Sequence, residues 1–256
     1  MIDSTAIIDP SAVLASDVTV GPYSVIGANV EVGAGTTIAP HVVIKGPTRI
    51  GRDNKIFQFA SVGEDPQDKK YHGETTRLEI GDRNVIREYC TIHRGTVQDK
   101  EVTRIGNDNL FMAYTHVAHD CQVGDHVIMA NAASLAGHVV VEDYAILGGF
   151  SLVHQFCKIG QYSFSAMGSV ISRDIPPYVM VGGRPTKPHG INAVGLERQG
   201  FGADALRQIR KAYKILYKSG LKLEDAIKML EEMTQETPEI LCMANFLKQT
   251  GRSIIR

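Results

Sequence analysis

No stretch of this chain strings together the ~20 apolar residues that a membrane-spanning helix requires, so no transmembrane segment is expected. The opening MIDSTAIIDPSA has neither the basic start nor the apolar run of a secretory leader, which makes the cytoplasm the expected location. Charge of one sign is equally scarce. With 27 Lys and Arg against 28 Asp and Glu the net charge is −1, so nothing pulls the chain globally towards nucleic acid, and a polyanionic partner would need a local basic face. The four cysteines, Cys90, Cys121, Cys157 and Cys242, never fall in a CxxC spacing, which argues against a zinc finger or a thioredoxin-like centre and leaves small reduced side chains. Tryptophan is absent altogether. Glycine instead reaches 25 of 256 residues beside abundant Val and Ile, the composition of many short strands joined by tight turns. A hydrophobic share of 43% still suffices to bury a core.

What is present is a period of six. An aliphatic residue stands at Ile2, Ile8, Leu14, Val20, Ile26, Val32, Ile38, Ile44, Ile50, Ile56 and Val62, often followed by glycine. Four positions after it comes a small or β-branched residue: Ala12, Val18, Ser24, Val30, Thr36, Val42, Thr48. This is the hexapeptide repeat of a parallel β-helix, in which three hexads close one triangular coil. The pattern pauses over 64–79, EDPQDKKYHGETTRLE, which reads as a polar protruding loop. It resumes at Ile80, Ile86 and Ile92, breaks again over RGTVQDKEVT, and continues one residue out of phase from Ile105 to Ile171. Beyond DIPPYV the spacing becomes helical, with Leu206, Ile209, Ala212, Tyr213 and Leu216 on one stripe, and LEDAIKMLEEM and PEILCMANFLKQ as two further helices. The chain therefore reads as a β-helix over 1–178 followed by a linker and a small α-helical domain over 179–256.

Because one coil is 18 residues, positions 18 apart lie above one another. Reduced by that period, His116, His119, His138 and His154 share one narrow window on three successive coils. His41, His93 and His126 fall at other phases, and His72 lies in the loop. A turn of a β-helix accepts many polar residues, so one histidine there means little, whereas four together point to a functional patch. Zinc would need three or four converging ligands and an open position. Acid/base chemistry needs a histidine, a carboxylate to fix its tautomer and a donor for an oxyanion. Asp120 adjoins His119, and Gly137, with nothing to screen its backbone N–H, lies one coil above; this favours acid/base chemistry.

The motifs HVAHDC, LAGHV, VHQFC and TIHRGTVQ, with IIDPSA, GRDN, QFASVGE, IGDRNVIRE, GLERQGF and the closing IIR, run through the whole chain. They resemble the UDP-N-acetylglucosamine O-acyltransferases that begin lipid A synthesis in Gram-negative bacteria. The resemblance implies a left-handed β-helix and a homotrimer with active sites between subunits. It implies transfer of an (R)-3-hydroxyacyl group from acyl carrier protein to the glucosamine 3-hydroxyl, with neither cofactor nor metal. His119 matches the general base, Asp120 the residue that orients it, and Gly137 the oxyanion donor. His116, His138, His154 and Gln155 match positions lining the substrate cleft, Asp68 and Lys70 sugar-contacting positions in the loop, and Asn192 and Arg198 uridine- and phosphate-binding positions. Met167 falls where the family sets acyl chain length, and a methionine there implies a medium-length donor. The sequence departs from the family's usual residues at Val194, Gln199 and Thr76. Arg207, Arg210, Lys211, Lys214 and Lys218 give one helix a basic face suited to an acidic carrier protein.

Four alternatives are weighed against this. A metal-dependent hydrolyase of carbonic anhydrase type could use the same helix, and an inert β-helix scaffold would need none of the histidines. A related N-acyltransferase carries an extra N-terminal domain, for which hexads starting at Ile2 leave no room. Small coenzyme A acetyltransferases do not share the HRGT and HQFC combination.

Overall fold

The computed structural model describes residues 1–256 except Glu236, Thr250 and Arg252. Its body is a left-handed parallel β-helix of triangular section. Each hexad contributes a strand, most of them two residues long, and every strand up to Leu152–Val153 pairs with the strand three further along the chain, so three parallel sheets form the faces. Face 1 holds nine strands from Ile7–Ile8 to Val170–Ile171, and face 2 holds eight from Val13–Leu14 to Lys158–Ile159. Face 3 holds ten, ending in Val179–Gly182 and the antiparallel Lys187–Ile191. The stacked strands thus continue past residue 178.

Strands this short have no independent stability, and their packing explains why they form. The periodic aliphatic of each hexad points inward, and Ile44, Val62, Ile86, Leu135 and Leu147 are all fully buried. Burial of such a side chain contributes about 1.5–3 kcal/mol. The small residue four places on closes the corner: Ser24, Thr36, Cys90, Cys121 and Cys157 are buried there without exception. Burial pushes the Cys121 thiol up to about 12, so it is neither a nucleophile nor a metal ligand at neutral pH.

Most corners turn through one residue of positive φ, such as Tyr89 (φ 60°), Tyr114 (φ 64°), Asp120 (φ 59°) and His138 (φ 63°). A non-glycine residue there costs about 1–2 kcal/mol. Column stacking offsets part of the cost. Tyr23, His41, Phe59, Tyr89 and Tyr114 stack ring on ring, with centroids 4.9–5.3 Å apart, up the corner between faces 3 and 1.

Two excursions interrupt the stack. In the first, Ile50 pairs with Ile80 and Val62 with Ile92, a step of 30 residues where a plain coil takes 18. Glu64 belongs to the strand before it and Arg77–Glu79 to the strand after, so the protruding segment is 65–76 and not 64–79. The flanking residues are claimed by sheet pairing, which polarity alone could not reveal. In the second, Ile80 pairs with Ile105, a step of 25.

A ladder of buried asparagines crosses both steps. Asn54 Oδ1 accepts from Asn84 N at 2.9 Å, Asn84 Oδ1 from Asn109 N at 3.0 Å, and Asn109 Oδ1 from Val127 N at 2.6 Å. The carboxamides continue across the irregular coils the contact that Ser24 Oγ makes with Val42 N and Thr36 Oγ1 with Asn54 N in the plain ones, both at 3.2 Å.

The C-terminal part holds four described helices: α1 (Ala193–Arg198), α2 (Ala203–Lys218), α3 (Leu223–Met233) and α4 (Ile240–Lys248). α1 was not expected from the sequence, since six residues give too short a periodic pattern. Leu206, Ile209, Ala212, Tyr213 and Leu216 of α2 are buried, and its basic residues lie on the exposed face.

Asn84→Ala removes the middle rung, orphaning Asn109 N and Gly106 O, while Asn54 Oδ1 keeps the backbone N–H of residue 84. A loss of about 2–3 kcal/mol is expected in denaturant unfolding at fixed protein concentration. A change below half of that would mean the ladder is dispensable.

Candidate active site

The corner between faces 1 and 2 gathers most of the residues singled out from the sequence. The turn after His116–Val117 carries His119 and Asp120, the turn one strand step above carries Gly137 and His138, and the next carries His154 and Gln155. Asp68 and Lys70 lie in the excursion 65–76, which leaves from the same corner.

His119 Nδ1 lies 2.9 Å from Asp120 Oδ2. Asp120 is 1% exposed. Burial, the largest single influence on its carboxyl, raises the pKa, but hydrogen bonds from His119 and Thr96 together with the nearby His138 outweigh it, and the net shift is downward. The carboxylate accepts from Thr96 N with both oxygens at 3.0 Å and from Thr96 Oγ1 at 2.6 Å. The Asp120 N–H in turn donates to Thr103 Oγ1 at 2.8 Å. An ionised carboxylate only accepts, so the proton on His119 sits on Nδ1 and the lone pair on Nε2.

Gly137 completes the arrangement for a steric reason. A Cβ added there would stand 2.6 Å from His119 Cε1 and 2.7 Å from Nε2, so any side chain would displace the ring. The Gly137 carbonyl accepts from Phe156 N at 3.2 Å, whereas among the described residues its N–H has no acceptor. A free N–H thus stands beside the unprotonated edge of the imidazole.

The surrounding histidines are held firmly. His138 Nδ1 lies 2.7 Å from Asp99 Oδ2, and its ring stacks on Phe156 at 4.4 Å and meets His119 edge-on at 5.0 Å. His116 Nδ1 lies 2.7 Å from Thr91 Oγ1, and burial followed by the neighbouring His119 lowers its pKa. His154 is exposed and its Nδ1 lies 3.2 Å from the Gln155 carbonyl.

His93 requires a correction. The plain period of 18 put it at another phase, but the 25-residue step pairs Thr91 with His116 and Ile92 with Val117, which brings His93 into the same patch. Its ring meets His116 edge-on at 5.0 Å, and it is 3% exposed with no partner for Nδ1. Burial, reinforced by His116, holds its pKa down at about 4.

Thr96, Asp99 and Thr103 were also missed by sequence reasoning. All lie in the stretch RGTVQDKEVT that breaks the register, and that break was their only signal.

The other expected residues stand elsewhere on the single chain. Met167, 77% exposed, sits at the corner between faces 3 and 1. Asn192 and Arg198 lie near the corner between faces 2 and 3. There the Asn192 carboxamide is already engaged, donating to Tyr162 O at 3.1 Å and accepting from Gly195 N at 3.2 Å as the cap of α1. Arg198 is exposed in the last turn of α1. Lys70 is exposed, and its N–H donates to Asp68 Oδ1 at 3.0 Å. His119, Asp120 and His138 each offer one atom within 4.8 Å of the others and could hold a metal ion. However, Nδ1 of each imidazole already faces a carboxylate, an arrangement that fixes tautomers for proton transfer.

Two family models match the chain: the second domain of UDP-N-acetylglucosamine O-acyltransferase over residues 174–255, and the bacterial transferase hexapeptide over residues 103–137. The acyl-[acyl-carrier-protein]–UDP-N-acetylglucosamine O-acyltransferase of Halorhodospira halophila is 53% identical over 255 residues, covering 100% of this chain and 99% of the relative. That of Stutzerimonas stutzeri is 55% identical over 256 residues with the same coverage. Among solved structures, LpxA from Acinetobacter baumannii superposes with a TM-score of 0.98 at 53% identity, covering 100% of this chain and 99% of that one.

The buried His93 makes stability depend on pH. Its folded pKa of about 4 lies below the ordinary 6.5, so its contribution is complete above pH 6.5 and is lost as pH falls from there towards 4. The loss amounts to about 3 kcal/mol. His93→Gln should flatten that part of the stability–pH curve. Parallel curves for wild type and variant would show that His93 does not resist protonation.

Proposed function

The chain belongs to the UDP-N-acetylglucosamine O-acyltransferase family, and from that premise we propose that it moves an (R)-3-hydroxyacyl group from acyl carrier protein to the 3-hydroxyl of UDP-N-acetylglucosamine, with His119 as general base and no cofactor. The observation that carries the histidine's role is the Thr96–Asp120–His119 chain of hydrogen bonds, with the unpaired Gly137 N–H beside the imidazole.

His119 Nε2 takes the proton of the sugar hydroxyl as its oxygen attacks the thioester carbon. Negative charge moves onto the thioester oxygen, which accepts a hydrogen bond from Gly137 N–H; such a donor lowers the barrier by about 3–4 kcal/mol. Collapse of the tetrahedral adduct expels the thiolate, and the imidazolium returns the proton to sulfur. Asp120 keeps the tautomer and balances the transient charge. His116, His138, His154, Gln155, Asp68 and Lys70 line the cleft around the sugar, and Asn192 and Arg198 serve the nucleotide.

Met167, Asn192 and Arg198 occupy corners other than that of His119, so these assignments require more than one copy of the chain. They fit a homotrimer in which one prism completes the cleft of the next. Met167, projecting from its own corner, would then close a neighbour's acyl slot and select a medium-length chain. The basic face of α2 faces outward where an acidic carrier protein can dock. The reading places the enzyme in the cytoplasm.

A zinc hydrolyase would draw on the same His119, Asp120 and His138. A transfer assay with UDP-N-acetylglucosamine and a panel of 3-hydroxyacyl carriers, run with chelator, separates the two. Wild type should turn over metal-free, and His119→Ala should lose about 10³-fold in kcat while keeping its nucleotide affinity. An active variant would remove the proposed base. In the same panel wild type should peak at a medium chain, and Met167→Gly should move the peak to longer donors. A wild-type peak at the longest chain would dismiss Met167 as the ruler.

A further inference from the structure

Two imidazoles and two carboxylates meet on the His119 corner, and they are paired one to one. His119 Nδ1 faces Asp120 Oδ2 at 2.9 Å, while His138 Nδ1 faces Asp99 Oδ2 at 2.7 Å. A carboxylate only accepts, so Nδ1 of each ring carries the proton. The two pairs are not independent. His138 Nδ1 also stands 4.0 Å from Asp120 Oδ2, the very oxygen that holds His119, and the two rings meet edge-on with centroids 5.0 Å apart.

Asp120 Oδ2 has no capacity to spare. Besides His119 Nδ1 it accepts from Thr96 Oγ1 at 2.6 Å and takes a share of Thr96 N at 3.0 Å. A carboxylate oxygen offers about two lone pairs, so a further donor enters only by loosening one of these bonds. His138 is the donor nearest to doing so, since a shift of about 1 Å would bring its Nδ1–H into hydrogen-bond range of Oδ2. Its stack on Phe156, 4.4 Å away with 9° between the rings, restrains the plane of the imidazole but supplies no acceptor. Which oxygen the Nδ1–H meets is therefore decided by Asp99.

The chain places Asp99 for this with one threonine. The side chain and N–H of Thr96 hold Asp120, while its carbonyl accepts from Asp99 N at 3.4 Å and from Glu101 N at 3.0 Å, folding the turn that presents Asp99 to His138.

We propose that Asp99 is a positioning residue for acyl transfer: by holding the Nδ1–H of His138, it reserves Asp120 Oδ2 for His119. The inference rests on the reading of His119 as the base and adds to it what keeps the carboxylate of that base from being shared. Orientation of His138 towards the sugar alone is the competing role for Asp99, and the test separates the two.

Crystal structures and steady-state kinetics are compared for wild type, D99A and D99N. The Asp99 side chain is 35% exposed, so the unfolding temperatures should match. In D99A the separation of His138 Nδ1 from Asp120 Oδ2 should close from 4.0 Å to about 3 Å, and kcat should fall at least about fivefold. The loss should be larger in kcat than in the KM for UDP-N-acetylglucosamine. D99N keeps an oxygen that accepts from Nδ1–H, so it should hold His138 in place and recover part of kcat. The inference is overturned by a His138 that stays 4.0 Å from Asp120 in D99A, by a loss carried mainly by the nucleotide-sugar KM, or by a D99N as slow as D99A although its His138 has not moved. Each of those results leaves His119 standing as the base. A His119→Ala variant that still turns over removes the base and this inference together.

Discussion

Vertical register is the constraint on which everything else in this protein depends. A two-residue strand cannot stand alone, so each one exists only because the strands above and below satisfy its backbone and because its inward aliphatic fills the axis between theirs. Slipping one coil by a single residue would turn Ile44 or Leu135 outward and the polar neighbour inward. Any added segment must therefore leave the prism and return in phase, and both excursions do so, with steps of 30 and 25 residues.

That requirement separates stability from chemistry. Stacked positions are committed to packing, while the excursions are free to carry polar groups to one corner. The segment 94–101 supplies Thr96 to Asp120 and Asp99 to His138. Arg94, beside it, reaches back to the other excursion, donating to Gly63 O, Asp65 and Tyr71 OH. Its guanidinium is buried with Nε unpaired, an expense accepted where one segment has to hold another in place. His119, Asp120 and the loop with Asp68 and Lys70 are thereby tied to a single stretch, His93 to Thr96.

The sequence is most legible where it is most periodic. Eleven aliphatics from Ile2 to Val62 announce the coil, and a uniform step of 18 correctly puts Gly137 over His119. The same arithmetic fails across an excursion, because the number of residues that leave the stack cannot be counted from the sequence. For that reason the uniform step puts His93 at the wrong phase, and polarity alone extends the loop over Glu64 and Arg77–Glu79. Asn192 shows a different limit. A motif gives the residue type, but only the fold reveals that its carboxamide already caps α1 and holds Tyr162. Thr96 and Asp99 were hidden because a polar excursion looks alike whether or not it carries catalytic partners.

The electrostatics of the corner follow from the same geometry. Burial favours the neutral forms of His93 and His116, so neither adds a positive charge beside His119 that would discourage protonation there. Asp120, equally buried, is nevertheless ionised because Thr96 and His119 supply the hydrogen bonds that water would otherwise provide. The Asp120 charge behind the His119 imidazole, with His93 and His116 favoured in their neutral forms, would stabilise an imidazolium at His119 in the proposed reaction. A prism offers convex corners and flat faces, so these groups stand on an edge with solvent in front of them. A second wall for the corner has to come from outside the coil, from an excursion or from another copy of the chain, so a simple repeat can present such a cluster without enclosing it.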